Sequence, residues 1–147
     1  MVYVPFLAGR ELTADLLNTR LVEVVMDWTP LDDIGNYAAG FSAGGDTPRM
    51  RKIRVLGVDR WEFAGRVNVV ATTITANVNT LMFTFDVGYR PTTERGWPLI
   101  GSNTLFYNFR TTISSAGLWQ VGLPTAAGNN ATGVYLEGIY MENPLGL

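Results

Sequence analysis

The sequence predicts an all-β domain, an antiparallel β-sandwich of jelly-roll type that carries an N-terminal extended arm and one short helix. Apolar and polar residues alternate along much of the chain, and clusters rich in Gly, Pro, Asn and Asp separate the alternating stretches. With 147 residues, the chain has the usual size of one domain. We divide it into an arm and helix at residues 1–20 and a β-sandwich at residues 21–147.

The first elements are the arm and the helix. In "LTADLLNTRL" the hydroxyl of Thr13 is placed to cap a short helix, and Asp15 lies in its first turn. The preceding "VYVPFLAGRE" is apolar and interrupted by Pro5, and it exposes too much apolar surface to remain in water. Two interpretations stay open: the arm lies across its own domain, or it reaches a neighbouring subunit or a larger assembly.

After the helix the apolar period changes to two, which is typical of half-buried strands. The alternating sets are Val22 to Trp28, Trp61 to Val69, Leu81 to Val87, Leu105 to Ile113, Trp119 to Leu123, and Val134 to Tyr140. The turn clusters between them include "AGGDTP", "GYRPTTERGWP" and "PTAAGNNATG". Short strands with such turns favour an antiparallel sandwich over parallel βαβ units.

The composition excludes several function classes. A hydrophobic content of 47% with 16% charged residues excludes a disordered chain. Without histidine or cysteine, the chain lacks the usual general base, the common nucleophile arrangements and the common zinc ligands, so we expect no catalytic residue, no metal and no cofactor. The net charge of −2 and the absence of a long apolar run predict neither a nucleic-acid partner nor membrane insertion.

Carboxylate chemistry stays open as an alternative, because a glycosidase needs only a pair of acidic side chains at a suitable separation. The candidates are Asp27, Asp32, Asp33, Asp59, Glu62, Asp86 and Glu94. We interpret "TPLDDIGNY" as a turn rather than a site, since Pro and Asp are typical turn residues.

The strongest local charge lies in "PRMRKIRV", which contains Arg49, Arg51, Lys52 and Arg54. In an extended chain these cations fall on both faces, which favours a strand at the edge of a sheet. Such an edge is protected from unwanted pairing by its charges, or it binds carboxylates of a neighbouring subunit or an anionic surface polymer.

Several aromatic residues lie in turn-rich segments rather than in alternating strands. Tyr37, Phe41, Tyr89 and Trp97 belong to this group, and Arg90 is next to Tyr89. Exposed rings in loops serve carbohydrate binding or subunit interfaces, and they also fold back over the ends of sandwiches. We take these five residues as a candidate interface or receptor loop.

Two stretches resemble known proteins. The segment from "RWEFAGRVNVV" through "MFTFDVGYRPTTERGW" resembles the C-terminal domain of phage tail-fibre proteins, in which a Trp-containing strand precedes a strand that ends in a Gly-Tyr-Arg-Pro turn. The N-terminal "AGRELTADLLN" resembles the attachment segment of tail proteins from phages of actinobacteria. In this chain the candidate attachment residues are Phe6, Leu7, Leu12, Leu16 and Leu17. Unlike long fibres, the chain passes almost directly from attachment segment to tip.

The resemblance implies a virion protein: a homotrimeric β-sandwich at the tail tip that contacts host-surface glycan and joins other virion proteins through its N-terminal arm. A capsid decoration trimer and, third, a carboxylate-dependent glycan hydrolase are the alternatives. The N-terminus lacks the pattern of a secretory signal, so we expect synthesis in the host cytoplasm.

Overall fold

The computed structural model describes residues 22–70, 73–102, 107–124 and 131–142. Among these residues every strand pair within the two sheets is antiparallel, which confirms the predicted all-β class. The predicted arm, helix and attachment segment at residues 1–20 lie outside the described residues, as does Leu105. In the described part of the chain, no helix is long and apolar enough to cross a membrane.

In the described part of the chain, twelve strands and two short 3-10 turns follow one another. The strands are β1 Val22–Pro30, β2 Gly35–Tyr37, β3 Phe41–Ala43, β4 Arg49–Val55, β5 Val58–Ala64, β6 Arg66–Val69, β7 Thr80–Phe85, β8 Arg95–Ser102, β9 Tyr107–Ile113, β10 Leu118–Gly122, β11 Gly133–Tyr135 and β12 Ile139–Glu142. The 3-10 turns are Leu31–Asp33 and Val87–Tyr89. A four-stranded sheet has the order β1-β4-β5-β12, and an eight-stranded sheet has the order β2-β7-β10-β9-β8-β11-β6-β3.

The core lies between the two sheets and is centred on aromatic rings. The Trp119 ring stacks on Phe85 with centroids 5.7 Å apart, and Phe63 meets Trp119 edge-on at 5.0 Å. Phe83 packs edge-on against Phe85 at 4.9 Å. These rings are almost fully buried and come from strands of both sheets, so the cluster holds the sheets together.

The chain changes sheets at Gly65, between β5 and β6. Gly65 has φ +90, and a Cβ there would collide with the backbone carbonyl oxygen of Thr47. The sequence pattern predicted one continuous strand from Trp61 to Val69, but the structure divides it into two strands of different sheets. The alternation continues through the bend because both halves face the same core.

The structure corrects the predicted strands in four further places. The predicted set Leu81 to Val87 ends at Phe85, because Val87 lies exposed in a 3-10 turn. Val22 and Val24 in β1 are exposed, with 46% and 58% of their surface accessible, so the first half of β1 does not face the core. In β12 it is Ile139 and Met141 that are buried, whereas Tyr140 points outward. Arg95–Ser102, interpreted in part as a turn, is strand β8.

We expect the aromatic cluster to dominate stability. Phe85→Ala should lower the free energy of unfolding by about 3–5 kcal/mol, because it removes a buried ring that touches Phe63, Phe83 and Trp119. Val87→Ala, two residues away at a side chain that is 79% exposed, should change it by no more than about 0.5 kcal/mol. Urea unfolding followed by tryptophan fluorescence measures both, and equal losses would contradict this assignment of the core.

Candidate functional site

The basic stretch is not at an edge of a sheet, which corrects the sequence interpretation. β4 lies between β1 and β5, and all four of its cations have partners on these neighbours. Arg51 forms an ion pair with Glu62 at 2.6 Å, Arg54 pairs with Asp59 at 2.6 Å, and Arg49 stacks over the ring of Trp28. The cations therefore face outward beside carboxylates that the chain itself provides.

The fourth cation, Lys52, joins the basic stretch to the Gly-Tyr-Arg-Pro turn. Its ammonium nitrogen lies 4.7 Å from the Trp61 ring centre and 4.5 Å from that of Tyr89, and it donates a hydrogen bond to the carbonyl oxygen of Gly88 at 3.2 Å. Burial lowers the pKa of Lys52, and the charge of Asp59 opposes that change. Tyr89 is thus held against the four-stranded sheet by a cation-π contact.

Arg90, beside Tyr89, fixes the turn rather than presenting a free charge. Its Nε donates to the carbonyl oxygen of Phe85 at 2.9 Å, and its aliphatic stem packs over Gly117, where a Cβ would lie 2.7 Å from Arg90 Cγ. The backbone N–H of Tyr89 donates to the backbone carbonyl oxygen of Asp86 at 2.9 Å and closes the 3-10 turn. The motif therefore ends strand β7 and anchors the following segment.

Phe41 belongs to the core and Tyr37 packs against it, so of the two interpretations these rings follow the one in which they fold back over the sandwich. Phe41 is 7% exposed and lies in β3. Tyr37 is half-buried and meets the Phe83 ring edge-on at 5.1 Å. Its hydroxyl is buried without a hydrogen-bond partner among the described residues. That burial, reinforced by the charge of Asp32, raises the pKa of Tyr37 above its ordinary value.

A groove of about 830 Å³ crosses the outer face of the eight-stranded sheet along β9. Alternation places Asn108, Arg110 and Thr112 on this face, while Phe109, Thr111 and Ile113 are buried on the other. The neighbouring strands carry small side chains at the flanking positions. Gly96 and Pro98 of β8 lie beside Thr112 and Arg110, and Gly122 of β10 lies on the other side of Arg110. We call this region the β9 groove.

The wall of the β9 groove is the segment before β7. The backbone N–H of Asn77 donates to the carbonyl oxygen of Leu123 at 2.9 Å, which fixes this segment to the end of β10. The side-chain oxygen of Asn79 lies over Gly122, where a Cβ would come within 3.1 Å of it. A glycine at position 122 therefore lets the wall lie close to the sheet.

The β9 groove brings together several polar side chains that the described part of the structure leaves unpaired. Among the described residues, Asn79, Glu94, Asn108, Arg110 and Thr112 have no hydrogen-bonding or ionic partner for their side chains. On the four-stranded sheet, by contrast, Arg51, Arg54 and Arg60 are all in ion pairs. The groove thus presents two amides, a hydroxyl, a carboxylate and a guanidinium that the fold itself does not use.

Trp97, the last of the predicted loop aromatics, lies in β8 beside this groove. Its ring is half-buried and packs against the core, and its indole N–H is buried without a hydrogen-bond partner among the described residues. It lines the β9 groove and also two clefts on the side of β12. Of the five candidate residues in the predicted receptor loop, Trp97 alone lines the groove.

The predicted acidic candidates do not form a metal site in the described part of the chain, where no cluster of three or more ligating side chains is found. Asp59 and Glu62 are committed to Arg54 and Arg51. Glu94 is the only carboxylate among the described residues of the β9 groove. A glycosidase needs two, so the groove does not offer the required pair.

No protein-family model matches the sequence, and no curated protein matches it. Solved structures do match. The receptor-binding protein gp15 of Listeria phage PSA superposes with a TM-score of 0.55 over 88% of this chain and 70% of that protein, at 14% identity. The head domain of the lactococcal phage bIL170, which is described as a receptor-binding domain, superposes with a TM-score of 0.52 over 82% of this chain and 98% of that domain, at 18% identity.

The chain has the fold of phage receptor-binding domains. This result confirms the resemblance to phage tail-fibre proteins that was predicted from the Trp-containing strand and the Gly-Tyr-Arg-Pro turn. The β9 groove was not predicted, because the polar members of β9 are the ordinary outward half of an alternating strand. The available signal was the pair of small residues Gly96 and Pro98 on either side of Trp97, but the sequence analysis interpreted this stretch as a turn.

Tyr37 should make the fold sensitive to alkali. In the unfolded chain a tyrosine ionises near pH 10, whereas the folded protein holds the Tyr37 proton more tightly, so stability should fall as the pH rises above about 10. Tyr37→Phe should reduce that fall and leave the melting temperature at pH 7 unchanged or higher, because it removes an unpartnered buried hydroxyl. Thermal unfolding at pH 7 and pH 11 tests this, with Tyr140→Phe at an exposed ring as the matched control. An equal alkaline loss in both variants would contradict the assignment.

Proposed function

We propose that this chain is the host-attachment domain of a phage virion protein and that it binds saccharide chains of the host surface in the β9 groove. The observation that carries the proposal is the row of unpartnered polar side chains on a rigid sheet face, in a fold whose solved neighbours are phage receptor-binding proteins. A concave site lined by a few convergent polar groups is the usual place for a ligand.

The chemistry of the groove suits a polyhydroxylated ligand. Sugar hydroxyls donate and accept hydrogen bonds, and the amides of Asn79 and Asn108 do the same. Arg110 donates and Glu94 accepts, so the groove carries no large net charge that would demand an ionic ligand. Val78, Pro98 and Pro124 add apolar surface against which the C–H face of a sugar ring packs. A sheet face is preorganised, which reduces the entropy lost on binding.

We also propose an oligomeric state for the protein and a location in the phage particle. We infer a homotrimer at the tail tip that joins other virion proteins through the N-terminal arm. The receptor-binding proteins among the structural neighbours favour the tail over the alternative, a capsid decoration trimer. We propose binding without turnover, since the groove lacks a second carboxylate among its described residues.

Removing the free groups of the groove should weaken binding without unfolding the protein. Arg110→Ala should weaken the affinity for surface polysaccharide about 10- to 150-fold, because a hydrogen bond to a charged group contributes about 1.5–3 kcal/mol. Asn108→Ala should weaken it less. The matched control is Asn36→Ala, an exposed amide on β2 that does not line the groove. Isothermal titration against purified bacterial surface polysaccharides measures all four proteins, with melting temperatures recorded for each.

Unchanged affinity in Arg110→Ala and Asn108→Ala, with the wild-type protein binding normally, would rule out the β9 groove as the receptor site. Immunogold labelling of phage particles then tests the location independently: label at the tail tip supports the attachment role, and label on heads supports the capsid alternative. Light scattering of the intact protein at several concentrations tests the trimer.

A further inference from the structure

The β9 groove adjoins a second cleft at Pro98. Pro98 is exposed on the outer face of β8, and it lines both the groove and a cleft of about 490 Å³. Strand β11 pairs with β8 only from Ile100 to Ser102, so no strand is paired beside Pro98 on that side in the described structure. Besides Pro98 and Ile100, the outer lining of the cleft includes Tyr135 and Glu137. We call it the Tyr135 cleft.

Strand pairing places a row of side chains along the edge of the groove and of the cleft. Tyr135 of β11 is the cross-strand partner of Ile100 in β8, and Ile100 is the partner of Asn108 in β9. Cross-strand partners point to the same face, so the three side chains follow one another on the outer face of the eight-stranded sheet. Ile100 is 66% exposed and Tyr135 is 39% exposed. The row is therefore polar at β9 and apolar or aromatic at β8 and β11.

Arg66 supports the ring of Tyr135 from the side away from the cleft. The two residues are cross-strand partners, and Arg66 Cζ lies 5.6 Å from the centre of the ring. The guanidinium lies over Gly133, where a Cβ would collide with it, and it donates a hydrogen bond to the carbonyl oxygen of Thr132 at 3.2 Å. Gly133 precedes Tyr135, whereas Glu137 of the cleft follows it. A cation-π contact thus holds the side chain that the cleft leaves accessible.

Glu137 adds a fixed hydrogen-bond acceptor to the cleft. One of its carboxylate oxygens accepts a hydrogen bond from the backbone N–H of Gly65 at 3.0 Å, which holds the side chain in place. A carboxylate accepts several hydrogen bonds, so ligand hydroxyls have an acceptor here. An aromatic ring, an aliphatic side chain and a few placed polar groups are the usual lining of a small-ligand site.

We propose that the saccharide chain bound in the β9 groove continues over Pro98 into the Tyr135 cleft, where one sugar ring stacks on the ring of Tyr135. The inference rests on the proposed function, because it assigns a second subsite to the same ligand. A saccharide suits both ends of this surface. Its hydroxyls bond to the polar side chains along β9, and the C–H face of a sugar ring packs against an aromatic face.

The strand spacing sets the length of ligand that contacts both subsites. Arg110 of β9 and Tyr135 of β11 are separated by two strand spacings, or about 10 Å across the sheet. A single sugar ring does not bridge this distance, so a short saccharide occupies one subsite and only a longer chain occupies both. The bound chain therefore crosses the strands of the sheet instead of following β9.

Isothermal titration with oligosaccharides of increasing length tests the proposal. The probes are fragments, from the single sugar to the hexasaccharide, of the surface polysaccharide that binds most tightly in the test of the β9 groove. They are titrated into the full-length wild type, Tyr135→Ala, Tyr135→Phe and Arg110→Ala. The matched control is Tyr140→Ala. Tyr140 is also an exposed tyrosine in contact with an arginine, with Arg60 Cζ 4.7 Å from its ring centre, but it lines neither the groove nor the Tyr135 cleft.

We expect the wild-type affinity to rise with length once a fragment spans both subsites. Tyr135→Ala should weaken the affinity for long fragments roughly tenfold and leave that for short ones unchanged, because it removes one stacking contact. Tyr135→Phe keeps the ring and should bind like the wild type, as should Tyr140→Ala. Arg110→Ala should weaken binding of long and short fragments alike. Melting temperatures of all variants verify that they are folded.

The outcomes separate this inference from the proposed function. If Tyr135→Ala binds every fragment like the wild type while Arg110→Ala loses affinity, the second subsite is overturned and the β9 groove stands. An equal loss at all lengths in Tyr135→Ala also overturns the second subsite, because the ring would then support the groove and not the far end of the ligand. Wild-type affinity in both variants, or no binding by the wild type, overturns the proposed function as well.

Nuclear magnetic resonance of the wild-type protein provides a second measurement that needs no substitution. Saturation with a long fragment should shift the amide resonances of β9 and of Gly133–Tyr135, whereas a short fragment should shift those of β9 alone. Shifts confined to β9 at saturation with the longest fragment would mean that the ligand does not enter the Tyr135 cleft.

Discussion

A buried hydrogen bond between Trp119 and Thr111 sets the geometry of the sheet face that carries the β9 groove. The indole N–H of Trp119 donates to the Thr111 hydroxyl at 2.7 Å, and that hydroxyl donates to the carbonyl oxygen of Gln120 at 2.7 Å. Both polar groups are thereby satisfied inside an aromatic core, where a slip of one residue would leave them unpaired. With Thr111 held inward, its neighbours Arg110 and Thr112 must face outward. The groove along β9 is thus a consequence of how β9 and β10 are aligned.

The two sheets differ in how their charged side chains are paired. The four-stranded sheet pairs its cations with carboxylates on adjacent strands and stacks Arg49 and Arg60 on the rings of Trp28 and Tyr140. Solvent-exposed ion pairs of this kind contribute little to stability, but they leave few unmatched charges to attract partners. In the β9 groove, Arg110 and Glu94 have no ion-pair partner among the described residues. The contrast separates a face that the chain satisfies internally from one that is open to another molecule.

The sequence supports the fold class because period-two alternation follows directly from strand geometry, and most buried residues of β5, β7, β9 and β10 were identified from it. The sequence does not show where the chain passes from one sheet to the other. At Gly65 the chain changes sheets, but the alternation of apolar residues continues without interruption. The sequence also fails where charge suggests position, since Arg51 and Arg54 look like edge residues until Glu62 and Asp59 are found on the next strand. The groove could not be predicted, because which outward side chains remain unpaired depends on contacts across several strands.

The arrangement of β9 has a consequence for how such a protein changes over time. Asn108, Arg110 and Thr112 occupy alternate positions whose side chains do not touch the aromatic core, and Gly96 and Gly122 leave space beside them. Replacements at these three positions alter the surface offered to a ligand while the strand stays fixed by Phe109, Thr111 and Ile113. If the β9 groove is the receptor site that we propose, a phage whose bacterium modifies its coat could follow that modification by small steps on one strand, without first acquiring compensating changes in the interior.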